Sequence, residues 1–379
     1  MKSYIFIFHL SFLLFVSCAI GSDNNLKDNE SILLNECASE IELDFAKKFS
    51  IFETDYGFIL NLHEENLNRP YRRYYLVRND SVNVPSDGIK INIPISRLAT
   101  NTSTVFEFLK LLDVSSSIKA TCSKEYIYSQ DICRAIDEGK ILSLGSSYQL
   151  NRERLLSVSP ELLLLSDEID VPQAISFPIL YSWEWKENSS LARAEWIKLW
   201  GVLFDKLPMA DSLFNETLNK YVELKNRVTS SVFSQPTVFA GSSYAGTWYL
   251  TGGDGFMAEL YEDAGANFLL SDTMIGTVAC GLEWLVLHFS EADYWLNFGE
   301  SSLKNIDERL LFFKSVQKQQ VYHFLKRSKN SEGVGISDFF ESAVAHPDIV
   351  LADVISVLHP QLLPNYQTIY IDKCKGGEK

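Results

Sequence analysis

NRERLLSVSPELLLLSD, residues 151–167, changes rhythm at its middle. Glu153 stands between Arg152 and Arg154 at a charged head, spaced leucines follow, and after Pro160 comes the unbroken apolar run Leu162–Leu165. The spacing predicts a helix over about 152–158, a break at the proline and a strand over ELLLLS. The chain repeats this arrangement in GLEWLVLHFSEADYWLN, residues 281–297. Glu153 aligns with Glu283, Leu155 with Leu285, Leu156 with Val286 and Glu161 with Glu291. A carboxylate in a first helical turn is favoured by the helix dipole, which is enough to explain one copy. Two copies in separate parts of the chain call for two related units.

Working outward, short apolar strands alternate with amphipathic segments from AKKFSIFETDYGFILNL onward. KINIPIS and KILSLG read as strands, and STVFEFLKLLDV carries apolar residues at helical spacing. ARAEWIKLWGVLFDKL reads as one helix. After Pro208 the segment MADSLFNETLNKYVELKNRV keeps Leu213, Leu218, Tyr221, Leu224 and Val228 on one side, long enough to pass from one lobe to another. A second series follows: PTVFAGSSY, FMAELYEDAGA, NFLLSD, LEWLVLHFS and ADYWLNFG. Strands alternating with helices indicate an α/β fold. The expected organisation is a first lobe over 37–207, a linking helix over 208–231 and a second lobe over 232–379.

Met1-Lys2 followed by YIFIFHLSFLLFV is a secretory signal, too short for a comfortable membrane span. Ser17-Cys18 after it matches a lipobox, although Phe15 stands where leucine is usual. Residues 1–17 are therefore expected to be removed, Cys18 acylated and 18–36 left as a polar tether. Export permits disulfides, and Cys122 with Cys133 is the most local pairing. The absence of any C-x-x-C argues against structural zinc. A formal net charge of -15 would repel a phosphate backbone and excludes a nucleic-acid partner.

Two chemistries compete for the remaining motifs. Gly253-x-Gly255-x-x-Ala258, with Asp272 beyond it, has the local form of a dinucleotide fingerprint and would make the protein an exported α/β enzyme with a nucleotide-like cofactor. No G-x-S-x-G elbow occurs, and the histidines fall in no metal-binding pair. The aromatic residues point elsewhere. YSWEWKE brings Trp183 and Trp185, and SSYAGTWY brings Tyr244, Trp248 and Tyr249, each group just after a strand. Loops at strand ends are where α/β sheets bind ligands, and such rings would stack on a large flat chelate. Arg97 could pair with an anionic group of that chelate.

Five segments together resemble one family: IPISRLATNTSTVFEFLKLLD, GSSYQLNRERLLSVSPELLLL, LARAEWIKLWG, WYLTGGDGFMAELYEDAGANFLLSD and PDIVLADVISVLHP. In order and spacing the chain is similar to the cobalamin/iron-siderophore type of substrate-binding protein of ABC importers, in a variant found among lipoproteins of Bacteroidetes-like bacteria. The resemblance implies two Rossmann-like lobes joined by a single long helix, with the ligand in the cleft between them. It implies no catalysis, no cofactor and no resident metal. The partners it implies are an iron-siderophore, haem or cobalamin and the permease subunits, approached by a monomeric protein lipid-anchored on the periplasmic side of a bacterial membrane. In that family a glutamate on each lobe docks with permease arginines, and Glu153 and Glu283 occupy the matching positions.

Overall fold

The computed structural model describes residues 38–376 apart from 66, 170–175, 232–233, 271–273, 275, 305 and 332–333. The signal segment, Cys18 and the tether up to residue 36 lie outside the described residues.

The described residues begin with a sheet that the strand-helix rhythm did not announce. Strands β1 (Ser39–Ile41), β2 (Phe49–Thr54), β3 (Gly57–Leu62), β4 (Arg72–Val77) and β5 (Ile89–Asn92) pair in sequence order, antiparallel except for β4 with β5. Asp55 and Tyr56 alone connect β2 to β3, since Thr54 faces Gly57 in the register. A two-residue loop forces neighbouring strands into a hairpin and leaves no room for a crossover helix. Gly57 is required there, because a Cβ would fall 2.0 Å from the Leu76 carbonyl oxygen.

The first lobe's parallel sheet follows, from β6 (Leu98–Thr100), β7 (Ile118–Thr121), β8 (Leu142–Ser143), β9 (Leu162–Leu165) and β10 (Ile179–Tyr181). Their spatial order is β8-β7-β6-β9-β10 and every pair is parallel. Helices α1 (Phe106–Leu111), α2 (Gln130–Asp137) and α3 (Arg152–Val158) make the crossovers. The winding reverses between β6 and β9, the topological switch point at which doubly wound sheets bind ligands. The opening stretch of sequence supplies one side of that point. The Asn151 side chain caps α3 by accepting the Arg154 N–H at 3.0 Å, and Ser159 leaves the helix in the left-handed region at φ 45°. Leu162–Leu165 are then wholly buried, as a parallel strand covered on both faces requires.

One helix was expected over ARAEWIKLWGVLFDKL, but two form, α4 (Ser190–Glu195) and α5 (Ile197–Leu203). Buried side chains at this joint are turned toward the N-terminal segment. Glu195 accepts the N–H groups of Asp44, Phe45 and Ala46, and Glu187 accepts those of Lys47 and Lys48 together with the Trp196 indole N–H. These bonds fasten the strand-leading segment 44–48 to the first lobe.

Helix α6 (Leu207–Thr229) has 23 residues with Pro208 in its first turn, which gives a length of about 34 Å. Its buried residues divide between two cores: Ala210 and Phe214 pack in the first, Tyr221 and Val228 in the second. A Cβ on Gly201 of α5 would lie 2.6 Å from that of Ala210, so glycine lets α5 and α6 close up. At the other end the Tyr221 hydroxyl donates to Asp263 at 2.9 Å. One rigid element thus belongs to both lobes.

In the second lobe, β11 (Thr237–Tyr244) runs parallel to β13 (Asn267–Phe268) and β15 (Tyr294–Leu296). Beyond Ala240 it turns into a hairpin with β12 (Thr247–Thr251), which pairs with β14 (Thr277–Cys280). Helices α7 (Phe256–Asp263), α8 (Leu282–Phe289), the short α9 (Lys314–Gln317) and α10 (Pro347–Leu358) cover these strands. Cys122 and Cys133, the most local pair of cysteines, are both buried free thiols, and Lys329 of the second lobe donates to the Cys133 sulfur at 3.3 Å.

Candidate ligand-binding site

The carboxyl ends of the first lobe's strands are tied together by one side chain. Asn101, just past β6, donates through Nδ2 to the Ser147 carbonyl after β8 and accepts the Ser166 N–H after β9, both at 2.9 Å. Three loops around the switch point are thereby held in one arrangement. Trp185 rests on this frame. Its indole N–H donates to the Ser166 carbonyl at 2.8 Å, while the side chain remains 45% exposed, so its polar atom is satisfied and a ring face is open. Tyr148, on the loop after β8, is 84% exposed and was not anticipated from the sequence.

Trp183 corrects the expectation. It is buried in the first core, stacked on Tyr181 at 5.6 Å and tilted against Tyr71 at 4.8 Å, with the Lys186 ammonium 3.8 Å from its ring centre. The 3₁₀ turn Glu184–Lys186 begins immediately after it and sends the two tryptophans in different directions. Trp248 is likewise buried, 5.4 Å from Trp295, because β12 alternates its faces and directs its neighbour Tyr249 outward. Tyr244 is well exposed beside the turn Ala245-Gly246, whose positive φ values of 49° and 82° suit a two-residue hairpin. The open rings are therefore Trp185 and Tyr148 on one lobe and Tyr244 and Tyr249 on the other.

Arg97 is also corrected. It precedes β6, at the amino end of the sheet and away from the switch-point loops, and its guanidinium pairs with Glu161 at 3.2 Å. Burial works against the Glu161 charge, but the N–H groups of Ser96 and Arg97 bring its carboxyl below the usual range.

Between the tryptophans lies a buried carboxylate. Glu184 accepts hydrogen bonds from the Thr104 hydroxyl at 2.6 Å and from Ser182. Burial raises its carboxyl above the ordinary range, against the pull of those hydroxyls and of Arg193. The Arg193 guanidinium lies 4.1 Å from the Phe256 ring centre, on the seam between α4 and α7.

The glycine loop does not form a nucleotide cradle. Its donors are already taken: Gly252 N–H by Gly276, Asp254 N–H by Met274 and Gly255 N–H by Gly252. The preceding β12 is antiparallel to both of its neighbours, so the loop does not lie in a βαβ unit. Asp272 lies outside the described residues.

Glu153 and Glu283 are both exposed, in the first turns of α3 and α8, above the buried pair Leu155 and Leu285. Arg154 is turned aside to donate to the Ser143 carbonyl at 2.8 Å, and Arg309 lies 3.2 Å from Glu283. The lobes also meet away from α6. Glu341 accepts the N–H groups of Tyr128 and Ser129 at 2.9 and 2.8 Å, and His346 pairs with Glu107 at 3.1 Å. Among the described residues no group of three or more His, Cys, Asp or Glu could hold a metal ion, and no helix is long and apolar enough to cross a membrane.

The sequence profile of the family described as periplasmic binding protein matches residues 98–327, from β6 onward. An uncharacterised lipoprotein of Methanocaldococcus jannaschii is 22% identical over 94% of this chain and 92% of its own length. Among solved structures, a periplasmic heme binding protein from Pseudomonas aeruginosa superposes with a TM-score of 0.57 at 14% identity, covering 75% of this chain and 100% of that one. A triscatecholate siderophore binding protein from Bacillus subtilis, complexed with ferri-bacillibactin, gives 0.53 at 16% identity over 71% of this chain and 94% of that one.

Proposed function

The chain belongs to the periplasmic binding protein family, and from that premise we propose that it is the lipid-anchored substrate-binding component of an ABC importer for an iron chelate (siderophore or haem) or cobalamin. The observation that carries this reading is the placement of open aromatic rings on both lobes of a fold hinged on a single helix. Trp185 and Tyr148 stand at strand ends of the first sheet, and Tyr244 and Tyr249 on the hairpin that extends β11. Trp185, whose N–H is already bonded to the Ser166 carbonyl, can stack on a large conjugated chelate without leaving a buried donor unpaired. Because α6 is anchored in both cores, the lobes move little on closing, and delivery depends on how the loaded pair of lobes meets the permease. Glu153 and Glu283 are the residues proposed to make that contact, and Cys18 the residue acylated, in keeping with the lipoprotein relative. The glycine loop supports no enzymatic alternative, since the N–H groups of Gly252 and Asp254 are taken by the Gly276 and Met274 carbonyls and that of Gly255 by Gly252.

A thermal-shift and tryptophan-quenching screen against ferric siderophores, haem and cyanocobalamin, with NAD as a control, tests this reading. One metal chelate is expected to raise the midpoint and quench emission, with NAD inert. A shift with NAD alone would overturn the assignment.

A further inference from the structure

Helices α3 and α8 hold equivalent positions in the internal repeat but face outward with different chemistry. With Glu153 set on Glu283 and the buried Leu155 on Leu285, Arg154 falls on Trp284 and Ser157 on Leu287. All four of these outward residues are exposed. The first lobe meets solvent there with polar side chains, as an outer helix face ordinarily does, and Leu156 is the one large apolar residue of α3 that is exposed. The second lobe presents a tryptophan and a leucine three residues apart, which share a helix face. The fold does not require them, since α3 does without.

The apolar surface extends beyond α8. The 3₁₀ turn Glu308–Phe312 runs beside the helix: Arg309 reaches Glu283 in its first turn at 3.2 Å, and the Lys314 N–H donates to the Ser290 carbonyl past its end at 2.8 Å. Leu310 and Phe313 enter the core, while Leu311 and Phe312 between them stay outside. Leu287 is 78% exposed and Phe312 76%, and the Trp284 ring is held by stacking on His288 at 4.1 Å. Large apolar side chains grouped in water mark a surface that a partner covers.

The repeat also points to the partner. A two-fold permease offers the same surface to each lobe, and the outer face of α3, with Arg152, Glu153, Arg154 and Ser157, suits a polar one. The apolar face of α8 needs a different surface. A chain held by an N-terminal anchor has one within reach in the bilayer, where tryptophan, leucine and phenylalanine favour the boundary between headgroups and acyl chains. We propose that α8 and the adjoining 3₁₀ turn lay Trp284, Leu287, Leu311 and Phe312 on the lipid bilayer beside the permease, so that the second lobe sets the tilt of the tethered molecule. This rests on the lipid-anchored importer reading and adds a lipid contact to it. No described helix is long and apolar enough to cross a membrane, so the contact is with its surface. Glu283, Asp307 and Glu308 stand among Arg309 and Lys314, so the attraction is apolar and not that of a basic patch for anionic lipid.

Full-length protein on vesicles of acyl-chain-brominated phosphatidylcholine, with neither permease nor chelate present, tests this through quenching of tryptophan emission. Wild type and Trp185→Phe are expected to be quenched at low and high salt alike, and Trp284→Phe to lose most of the effect. Leu287→Asp and Phe312→Asp are each expected to lower the ratio of bilayer-seated to free lobe by about tenfold or more, with the thermal midpoint unchanged. Quenching of Trp284→Phe as strong as that of wild type would overturn the proposal, as would quenching that high salt abolishes. Wild type left unquenched would overturn it too: slower uptake by Leu287→Asp in permease-containing vesicles would then assign the face to the permease, and a sedimenting mass halved in Leu287→Asp would assign it to a second copy of this chain. A failed chelate screen leaves quenching in these vesicles unaffected, so the importer reading and the lipid contact fall separately.

Discussion

At the scale of single residues, this protein repeatedly uses a buried carboxylate as an acceptor for backbone N–H groups. Glu195 takes three such donors from 44–46, Glu187 takes two from 47–48, and Asp353 takes three from 369–371. Each satisfies backbone donors in a segment that has no ladder partner for them. The same economy separates the tryptophans. Trp183→Ala is expected to lower unfolding stability by about 3–5 kcal/mol, as for a large ring removed from a packed core, with affinity in the folded fraction unchanged. Trp185→Ala should leave the denaturation midpoint nearly unaltered and weaken chelate binding by about 1–3 kcal/mol. Urea titration read beside fluorescence quenching distinguishes the two, and a reversed pattern would move the binding surface to the other ring. YSWEWKE could not reveal this difference. Residues two apart share a face only in a strand, and the 3₁₀ turn starting at Glu184 ends that regularity between them.

At the scale of elements, the helix-break-strand stretch was legible because its signals are local: Asn151 as a cap, Pro160 as a stop and four leucines for a doubly covered strand. The initial antiparallel sheet was not, since alternating apolar runs look alike whether a crossover or a hairpin joins them. The contact between Glu341 and the start of α2 was hidden for another reason: its partners are more than two hundred residues away in sequence. This bond has a measurable signature. Burial pushes the Glu341 carboxyl up to about 7, against the Tyr128 and Ser129 N–H groups; Asp338 pushes the same way and Lys329 opposes. The folded state therefore holds this proton through a pH range in which the unfolded chain has released it. The stability it contributes is fully present below the ordinary carboxylate range and is lost as pH rises through about 7. Thermal midpoints taken from pH 5 to pH 8 should decline more steeply in wild type than in Glu341→Gln, which cannot ionise. Parallel pH profiles would show that Glu341 does not titrate in this window.

At the scale of the whole molecule, topology places each of the repeated glutamates at an end of its own lobe. Helix α3 begins beyond the carboxyl end of β8, so Glu153 stands at the same end of its lobe as the loops held by Asn101. Helix α8 begins directly after β14, whose last residue Cys280 pairs with Trp248, itself opposite Ser243 near the outer end of β11. Glu283 therefore stands beside the outer end of β11, where its hairpin extends past the parallel strands. The docking proposed for them sets one carboxylate per lobe against a two-fold basic partner, so that their spacing would report the spacing of the lobes. The neighbouring arginines do not cancel them. Arg154 is bonded to a carbonyl, and the exposed Arg309–Glu283 pair is of the weak, salt-screened kind that a permease arginine can replace. Glu153→Arg and Glu283→Arg should each keep the chelate-induced thermal shift of wild type, because both carboxylates are exposed in the first turns of α3 and α8 and neither is bonded to Tyr148, Trp185, Tyr244 or Tyr249. Each should slow uptake by permease-containing vesicles, and the double reversal should abolish it, with the single defects growing milder as salt is raised. Uptake unchanged in the double variant would remove these glutamates from the docking surface. Loss of the thermal shift in either single variant would instead place that carboxylate at the ligand.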